Sequence, residues 1–223
     1  MVTEDTRLKK ESAAFCRYSS SEYAQVSQNE YRNLALGRDK PRLLMHACCG
    51  PCATACVERL ADDYSITVFY YNPNITDEKE YFLRRDALTQ FIDAFNRDHP
   101  DLTPVSYIEG DYAPETFIRK AGPLAAEPEG GRRCNVCFEI RLAETARVAR
   151  ELAFDCFTTT LTVSPHKDFK LISEIGTALG QGAGVEYLAI DFKKKNGFQR
   201  SIELSKQYGL YRQNFCGCEY ARR

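Results

Sequence analysis

Short apolar runs alternate along the chain with longer stretches that have helical periodicity. The apolar runs predict strands at residues 42–47, 66–71, 105–108, 156–160 and 186–190. The periodic stretches predict helices at residues 52–60, 76–95, 114–120, 135–152, 168–179 and 198–208. Alternating strands and helices are typical of a parallel sheet with right-handed crossovers. The pattern therefore predicts an α/β fold, with a parallel sheet of about five strands and helices on both faces.

The first forty residues differ from the rest of the chain. Residues 1–40 lack clear periodicity and are rich in Ser, Glu, Tyr and Arg. We predict that they form an N-terminal extension with a short helix near residues 22–36, and that residues 41–223 form a single α/β domain. The chain opens with charged residues and contains no apolar run of about eighteen residues, so we expect no membrane partner and a cytoplasmic location.

Charge is distributed unevenly along the 223 residues, although the formal net charge is only −1. Residues 193–223 contain eight basic and two acidic side chains. Such a basic segment on an acidic body suits contact with phosphates, although charge runs of this kind are usually solvated surfaces.

Seven of the ten cysteines fall into three tight groups. They form CCGPC (Cys48, Cys49, Cys52), RCNVC (Cys134, Cys137) and CGC (Cys216, Cys218). The CCGPC group lies where the first strand gives way to its helix, and ligands of such sheets bind at the carboxyl ends of the strands. A helix N-terminus also favours thiolates, which bind metals or act as nucleophiles. Isolated Cys56 and Cys156 are expected to be core residues.

Two other interpretations explain part of this pattern. The tetrapeptide CGPC also occurs at the redox centre of thioredoxins, but that fold has a small mixed sheet and leaves two cysteine groups unexplained. Four thiolates in a tetrahedron suit zinc as well as an iron–sulfur cluster. A thiol-redox protein or a zinc-binding protein is therefore the alternative to a redox metalloenzyme.

Six blocks of sequence together resemble one family. They are HACCGPC, YYNPNI, YFLRR, RRCNVCFEIR, FTTTLTVSPHK and KKKNGFQRSIELSKQYGLYRQNFCGC. In this order, from about residue 42 to residue 219, they resemble the QueH-type epoxyqueuosine reductases. The resemblance implies a Rossmann-like sheet and reduction of the epoxide of epoxyqueuosine, at the tRNA wobble position, to queuosine. It also implies a 4Fe-4S iron–sulfur cluster with an additional iron, no cobalamin, and as partners the tRNA and an electron donor protein or reductant.

The residues of these blocks supply the candidate site. For the cluster we assign Cys49, Cys52, Cys134 and Cys137; for the second iron we assign Cys48, Cys216 and Cys218. The expected catalytic residues are Cys48, Cys216, Cys218 and His46, the last as a proton donor or an orienting group. Expected substrate-binding residues follow the strands or belong to the basic segment: Tyr71, Asn72, Asn74, Tyr81, Arg84, Thr159, Ser164, Lys194 and Arg212.

Overall fold

A computed structural model of the chain describes residues 40–221. The predicted N-terminal extension, with its short helix and Cys16, lies outside these residues. Within them the sequence forms five strands: β1 (Arg42–His46), β2 (Ser65–Tyr70), β3 (Ser106–Glu109), β4 (Cys156–Thr159) and β5 (Glu186–Tyr187).

The five strands form one sheet in the order β3-β2-β1-β4-β5, and each neighbouring pair is parallel. The α/β fold class and the Rossmann-like description are therefore confirmed. The chain leaves β1 towards β2 and β3 and returns to the other side of β1 to form β4. The carboxyl ends of β1 and β4 consequently flank the switch point of the sheet, where ligands bind in folds of this kind.

Helices alternate with the strands as predicted. They are α1 (Gly50–Leu60), α2 (Glu78–Asp98), α3 (Pro114–Ala121), α4 (Arg132–Glu151), α5 (Phe169–Ala183) and α6 (Gly197–Gln207). The side chains of Asp77 and Asp168 accept hydrogen bonds from the first free N–H groups of α2 and α5 and so fix where these helices begin. None of the helices in the described part of the chain is long and apolar enough to span a membrane.

Two hydrophobic cores lie on opposite faces of the sheet. Leu43 and Met45 of β1 point to the core with α1 and α2, whereas Leu44 points to the core with α4 and α5. Because successive side chains of a strand point to opposite faces, an uninterrupted apolar strand such as β1 serves both cores. Burial on both faces fixes the position of the turn that follows β1.

The predicted strand at 186–190 is wrong in length, since β5 ends at Tyr187. Beyond that residue the main-chain carbonyls of Leu188 and Ile190 accept hydrogen bonds from the hydroxyls of Thr158 and Thr162. Threonine side chains thus replace the strand partner, and the chain turns away from the sheet. Smaller shifts occur at helix starts: α1 begins at Gly50 and α4 at Arg132, which places Cys52 and Cys134 in the first turns of these helices.

Candidate functional site

Three thiols meet at the turn between β1 and α1. Cys49 is the N-cap residue of α1, Cys52 lies in its first turn, and Cys48 precedes it. The Sγ atoms of these three residues all lie within 4.8 Å of one another. The helix N-terminus supplies free N–H groups and a partial positive charge, so the turn is suited to thiolates.

The other two cysteine groups open onto the same cavity. Its volume is about 780 Å³, and its walls include Cys48, Cys52, Cys134, Cys137, Cys216 and Cys218. Cys134 stands in the first turn of α4 and Cys137 in the second, and the N–H of Gly130 donates a hydrogen bond to Cys134 Sγ at 3.2 Å. Cys49 stands behind the wall, where Gln213 Nε2 donates to its Sγ at 2.9 Å. The fold therefore brings all three groups to one place.

Positive charge dominates the cavity wall. It contains Arg84, Arg133, Arg141, Lys167 and Arg212, against the two carboxylates of Glu129 and Asp168. Arg141 is only 3 % exposed, and its Nε donates to the carbonyl of Cys137 at 3.2 Å. A buried guanidinium is stable only near compensating negative charge. Thiolates of the neighbouring cysteines are well placed to supply that charge.

Hydrogen bonds and these cations make some of the thiols acidic. Hydrogen bonds from the Cys49 and Cys52 thiols lower the pKa of Cys48 well below its usual range, and the charges of Lys167 and Arg141 act in the same direction. A hydrogen bond from Cys218 lowers the pKa of Cys216 to about 6. One thiolate is thus favoured in each of these two groups near neutral pH.

His46 lies behind the thiols and is fully buried. Its Nε2 faces the carbonyl of Tyr71 at 3.2 Å, and its Nδ1 faces the hydroxyl of Thr159 at 2.8 Å. Because a carbonyl only accepts, Nε2 carries the proton and Nδ1 accepts from Thr159. Burial lowers the pKa of His46 to about 3, with the charge of Arg141 adding to the effect. The neutral ring ties the ends of β1, β2 and β4 together.

The expected substrate residues divide into two sets. Four of them line the cavity: Asn74, Arg84, Ser164 and Arg212. Five do not: Tyr71, Asn72, Tyr81, Thr159 and Lys194.

Members of the second set have other contacts. The Tyr81 hydroxyl lies 3.4 Å from a carboxylate oxygen of Glu109, and its ring packs against Tyr70 and Tyr112. Asn72 is buried and donates to the carbonyl of Ala47, whereas Lys194 is an exposed residue of the loop before α6.

Three cavity residues were missed by sequence reasoning. Arg141 follows Cys137 by four positions, so both lie on one face of α4, and this spacing is a signal that the sequence contains. Lys167 follows the SPH turn after β4. Gln213 contacts Cys49 across 164 positions of sequence, and no local pattern indicates this pairing.

The donor set fits a thiolate-bound metal centre. Sulfur ligands suit iron–sulfur clusters and zinc, and the three clustered Sγ atoms with four more cysteines nearby provide an ample set. The buried cations balance the negative charge that such ligands carry. The side-chain oxygens of Asn74 and Gln213 are buried and have no hydrogen-bond partner among the described residues, so the wall also offers free acceptors to a bound ligand.

The protein is thus a Rossmann-like α/β protein whose sheet has a thiol-rich, cationic cavity at its switch point. The family model described as "Epoxyqueuosine reductase QueH" matches residues 43–223. The chain belongs to this family.

Curated relatives agree with the family match. Among them, the epoxyqueuosine reductase QueH of Streptococcus pyogenes serotype M1 is 43 % identical over 182 residues, which is 82 % of this chain and 71 % of that protein. The protein of the same name from Staphylococcus epidermidis is 40 % identical over 185 residues, or 82 % and 77 % of the two chains. That from Thermotoga maritima is 34 % identical over 183 residues, or 80 % and 89 %.

Proposed function

We propose that this chain is an epoxyqueuosine reductase, an oxidoreductase that converts epoxyqueuosine in tRNA to queuosine. Family membership supports the reaction. One structural observation supports the location of the active site: three cysteine groups, far apart in sequence, open onto one cavity at the switch point. A cavity of about 780 Å³ is within the range of small-molecule sites, so a modified nucleoside is of suitable size.

The reaction sets what the site must provide. Reducing the epoxide breaks both of its C–O bonds and forms a C=C bond, and the oxygen leaves as water. The balance requires two electrons and two protons. Amino-acid side chains do not supply low-potential electrons, so the electrons come from a reductant or electron donor protein through a cofactor.

In this proposal the cysteines are the ligands of that cofactor. Cys49, Cys52, Cys134 and Cys137 hold a 4Fe-4S cluster, and Cys48, Cys216 and Cys218 hold the additional iron. When bound, these groups supply single electrons and a Lewis acid for the epoxide oxygen, without cobalamin. Arg141 and Lys167 stabilise the negative charge of the thiolates. His46 orients the turn that carries Cys48, because both of its ring nitrogens are engaged by the protein.

Polar groups of the cavity wall bind the substrate. The side-chain oxygen of Asn74 is buried, has no hydrogen-bond partner in the described part of the chain, and accepts from a hydroxyl of the cyclopentane ring. Ser164 lies on the same wall and offers a hydroxyl. Tyr71, Asn72, Tyr81 and Thr159 do not line the cavity, so in this proposal they make no direct contact with the substrate.

Basic residues beside the opening bind the tRNA backbone. Arg212 lines the cavity, and Lys194 belongs to a run of three lysines on the adjoining loop before α6. Phosphate contacts of this kind provide most of the affinity and make it salt-dependent. We place the enzyme in the cytoplasm, where its tRNA substrate is found.

Iron analysis of cysteine variants tests the assignment. The full chain is purified anaerobically, iron and acid-labile sulfide are quantified, and the absorbance near 400 nm is recorded. We expect the Cys134→Ala, Cys137→Ala double variant to lose the sulfide, the absorbance and the reduction of epoxyqueuosine tRNA, because a cluster that lacks thiolate ligands is labile. Cys56→Ala is the matched control, since Cys56 is buried on α1 and its thiol donates to the carbonyl of Cys52. Full sulfide in the double variant, or zinc in place of iron in the wild-type chain, would refute the assignment.

A further inference from the structure

The segment 210–218 returns to the cavity without regular secondary structure. It carries Cys216 and Cys218, so something other than a helix or strand must fix these thiols. The side chain of Arg84 on α2 makes the main contacts. Its Nη2 donates to the carbonyl of Phe215 at 3.1 Å, and its Nη1 donates to the carbonyl of Cys216 at 3.2 Å.

The guanidinium of Arg84 is itself fixed from the other side. Its Nε donates to Glu80 Oε1 at 2.7 Å, one turn earlier on α2. The other oxygen of Glu80 accepts from the hydroxyl of Tyr211 at 2.7 Å, and Tyr211 belongs to the same returning segment. Arg84 is 2 % exposed and Glu80 is 7 % exposed, so water competes little for the bond between them, whereas Tyr211 is 38 % exposed.

The cysteine pair is shaped to fit this contact. Gly217 lies between the two cysteines with φ +94°, a conformation that favours glycine. A Cβ atom at this position would lie 2.8 Å from Ile75 Cγ1 and 3.1 Å from Arg84 Nη1. Asn74 Nδ2 donates to the carbonyl of Cys216 as well, at 3.3 Å. The loop therefore packs directly on Arg84 and has little room to move.

We propose that Arg84 is a positioning residue, which holds Cys216 and Cys218 at the cavity by binding two consecutive carbonyls, with Glu80 and Tyr211 fixing its guanidinium. Arg84 then acts through the cysteine pair, and its role in substrate binding is indirect. A planar guanidinium reaches Glu80 and two carbonyls at once, a task that the single ammonium of a lysine does poorly. This inference rests on the proposed function for its catalytic consequence, but its structural part is testable alone.

Alkylation of Cys218 tests the positioning directly. The full chain as isolated under anaerobic conditions is treated with iodoacetamide, and the labelling rate of each cysteine is measured by peptide mass spectrometry. Cys218 is 5 % exposed, so it reacts only when the loop opens and moves the thiol away from any metal that it binds. Removing two bonds from a charged donor in Arg84→Gln should raise its labelling rate at least about tenfold. Arg84→Lys should lie between wild type and Arg84→Gln.

Matched controls separate loop opening from unfolding. Arg85→Gln removes the neighbouring arginine of α2, which pairs with Asp86 and Glu109, and should leave Cys218 labelling unchanged. Cys56 is buried in α1, so its labelling increases only if the fold opens. Its labelling should stay at the wild-type rate in Arg84→Gln and in Arg85→Gln. If Cys56 becomes reactive in Arg84→Gln, that variant is partly unfolded, and Tyr211→Phe is used in its place to test loop opening. That change removes one hydroxyl from Glu80 and should raise Cys218 labelling about threefold, which corresponds to one weak hydrogen bond.

Steady-state kinetics with epoxyqueuosine tRNA supply the second readout. A positioning role predicts a large loss of kcat in Arg84→Gln with KM unchanged within about twofold, because the substrate contacts remain. The inference is overturned if Cys218 in Arg84→Gln is labelled at the wild-type rate. Where Arg84→Gln also makes Cys56 reactive, the same result in Tyr211→Phe overturns it. A raised KM with unchanged labelling would assign Arg84 to the substrate and overturn it too. If the wild-type chain does not reduce the tRNA, the proposed function fails, while the labelling still decides the positioning.

Discussion

Gly50 of the CCGPC turn allows a close approach between α1 and α2, and its replacement by alanine should destabilise the protein. A Cβ atom at this position would lie 2.5 Å from the carbonyl oxygen of Ala87 and 2.8 Å from its carbonyl carbon. Real Cβ atoms essentially never come within 3.0 Å of another heavy atom in this way. Since Ala87 contributes main-chain atoms inside α2, no side-chain rotation relieves the overlap, and the two helices must move apart.

The size of the effect follows from that overlap. Gly50 does not have a positive φ, so alanine suffers no backbone strain and the whole cost is steric. Inserting a methyl group into close-packed structure costs about 1–3 kcal/mol. For a chain of this length, that corresponds to a decrease in Tm of about 2–12 °C. Cys49 and Cys52 flank Gly50, so the same displacement should lower the amount of iron bound per chain.

The assay is urea unfolding together with a thermal scan of the full chain, with Gly182→Ala as the matched control. Gly182 lies in the last turn of α5, and a Cβ atom there would meet nothing within 4 Å. Its replacement should stabilise the protein by about 0.4–1 kcal/mol, because alanine has less conformational freedom in the unfolded chain. A steric cost at Gly50 would be contradicted if Gly50→Ala unfolded at the wild-type urea concentration, or if both variants shifted in the same direction.

Two further results are expected. Replacing Lys193, Lys194 and Lys195 by glutamine should weaken tRNA binding. The slope of log affinity against log salt should fall by about 1 for each phosphate that is no longer neutralised. An unchanged slope in a filter-binding titration would place these lysines outside the interface. Tyr187→Phe should leave Tm unchanged or raise it slightly. The buried Tyr187 hydroxyl has no hydrogen-bond partner among the described residues, so its removal leaves no group unsatisfied. A decrease of several degrees in Tm would show that the hydroxyl is hydrogen-bonded in solution.

The order of strands and helices could be predicted from the amino-acid sequence, because that order is encoded locally. An apolar run such as 42–47 is compatible with a strand buried on both faces, and the following Gly-Pro pair suits a helix start. Thiol groups beside predicted helix starts also indicated a metal or redox site. The end of β5 at residue 187 could not be predicted in this way, because the carbonyls beyond it accept from the hydroxyls of Thr158 in β4 and Thr162 in the turn after β4, contacts that no local pattern contains.

Which side chains face the cavity depends on how the elements pack, and local patterns do not contain that information. Tyr81 and Arg84 are three positions apart on α2, yet Arg84 lines the cavity and Tyr81 packs into a cluster of aromatic rings. The contact between Gln213 and Cys49 likewise depends on the path of a segment without regular structure. Periodicity reports burial, which is a property of one element, whereas a site depends on distances between elements. Those distances are set by how the whole chain packs on both faces of the sheet.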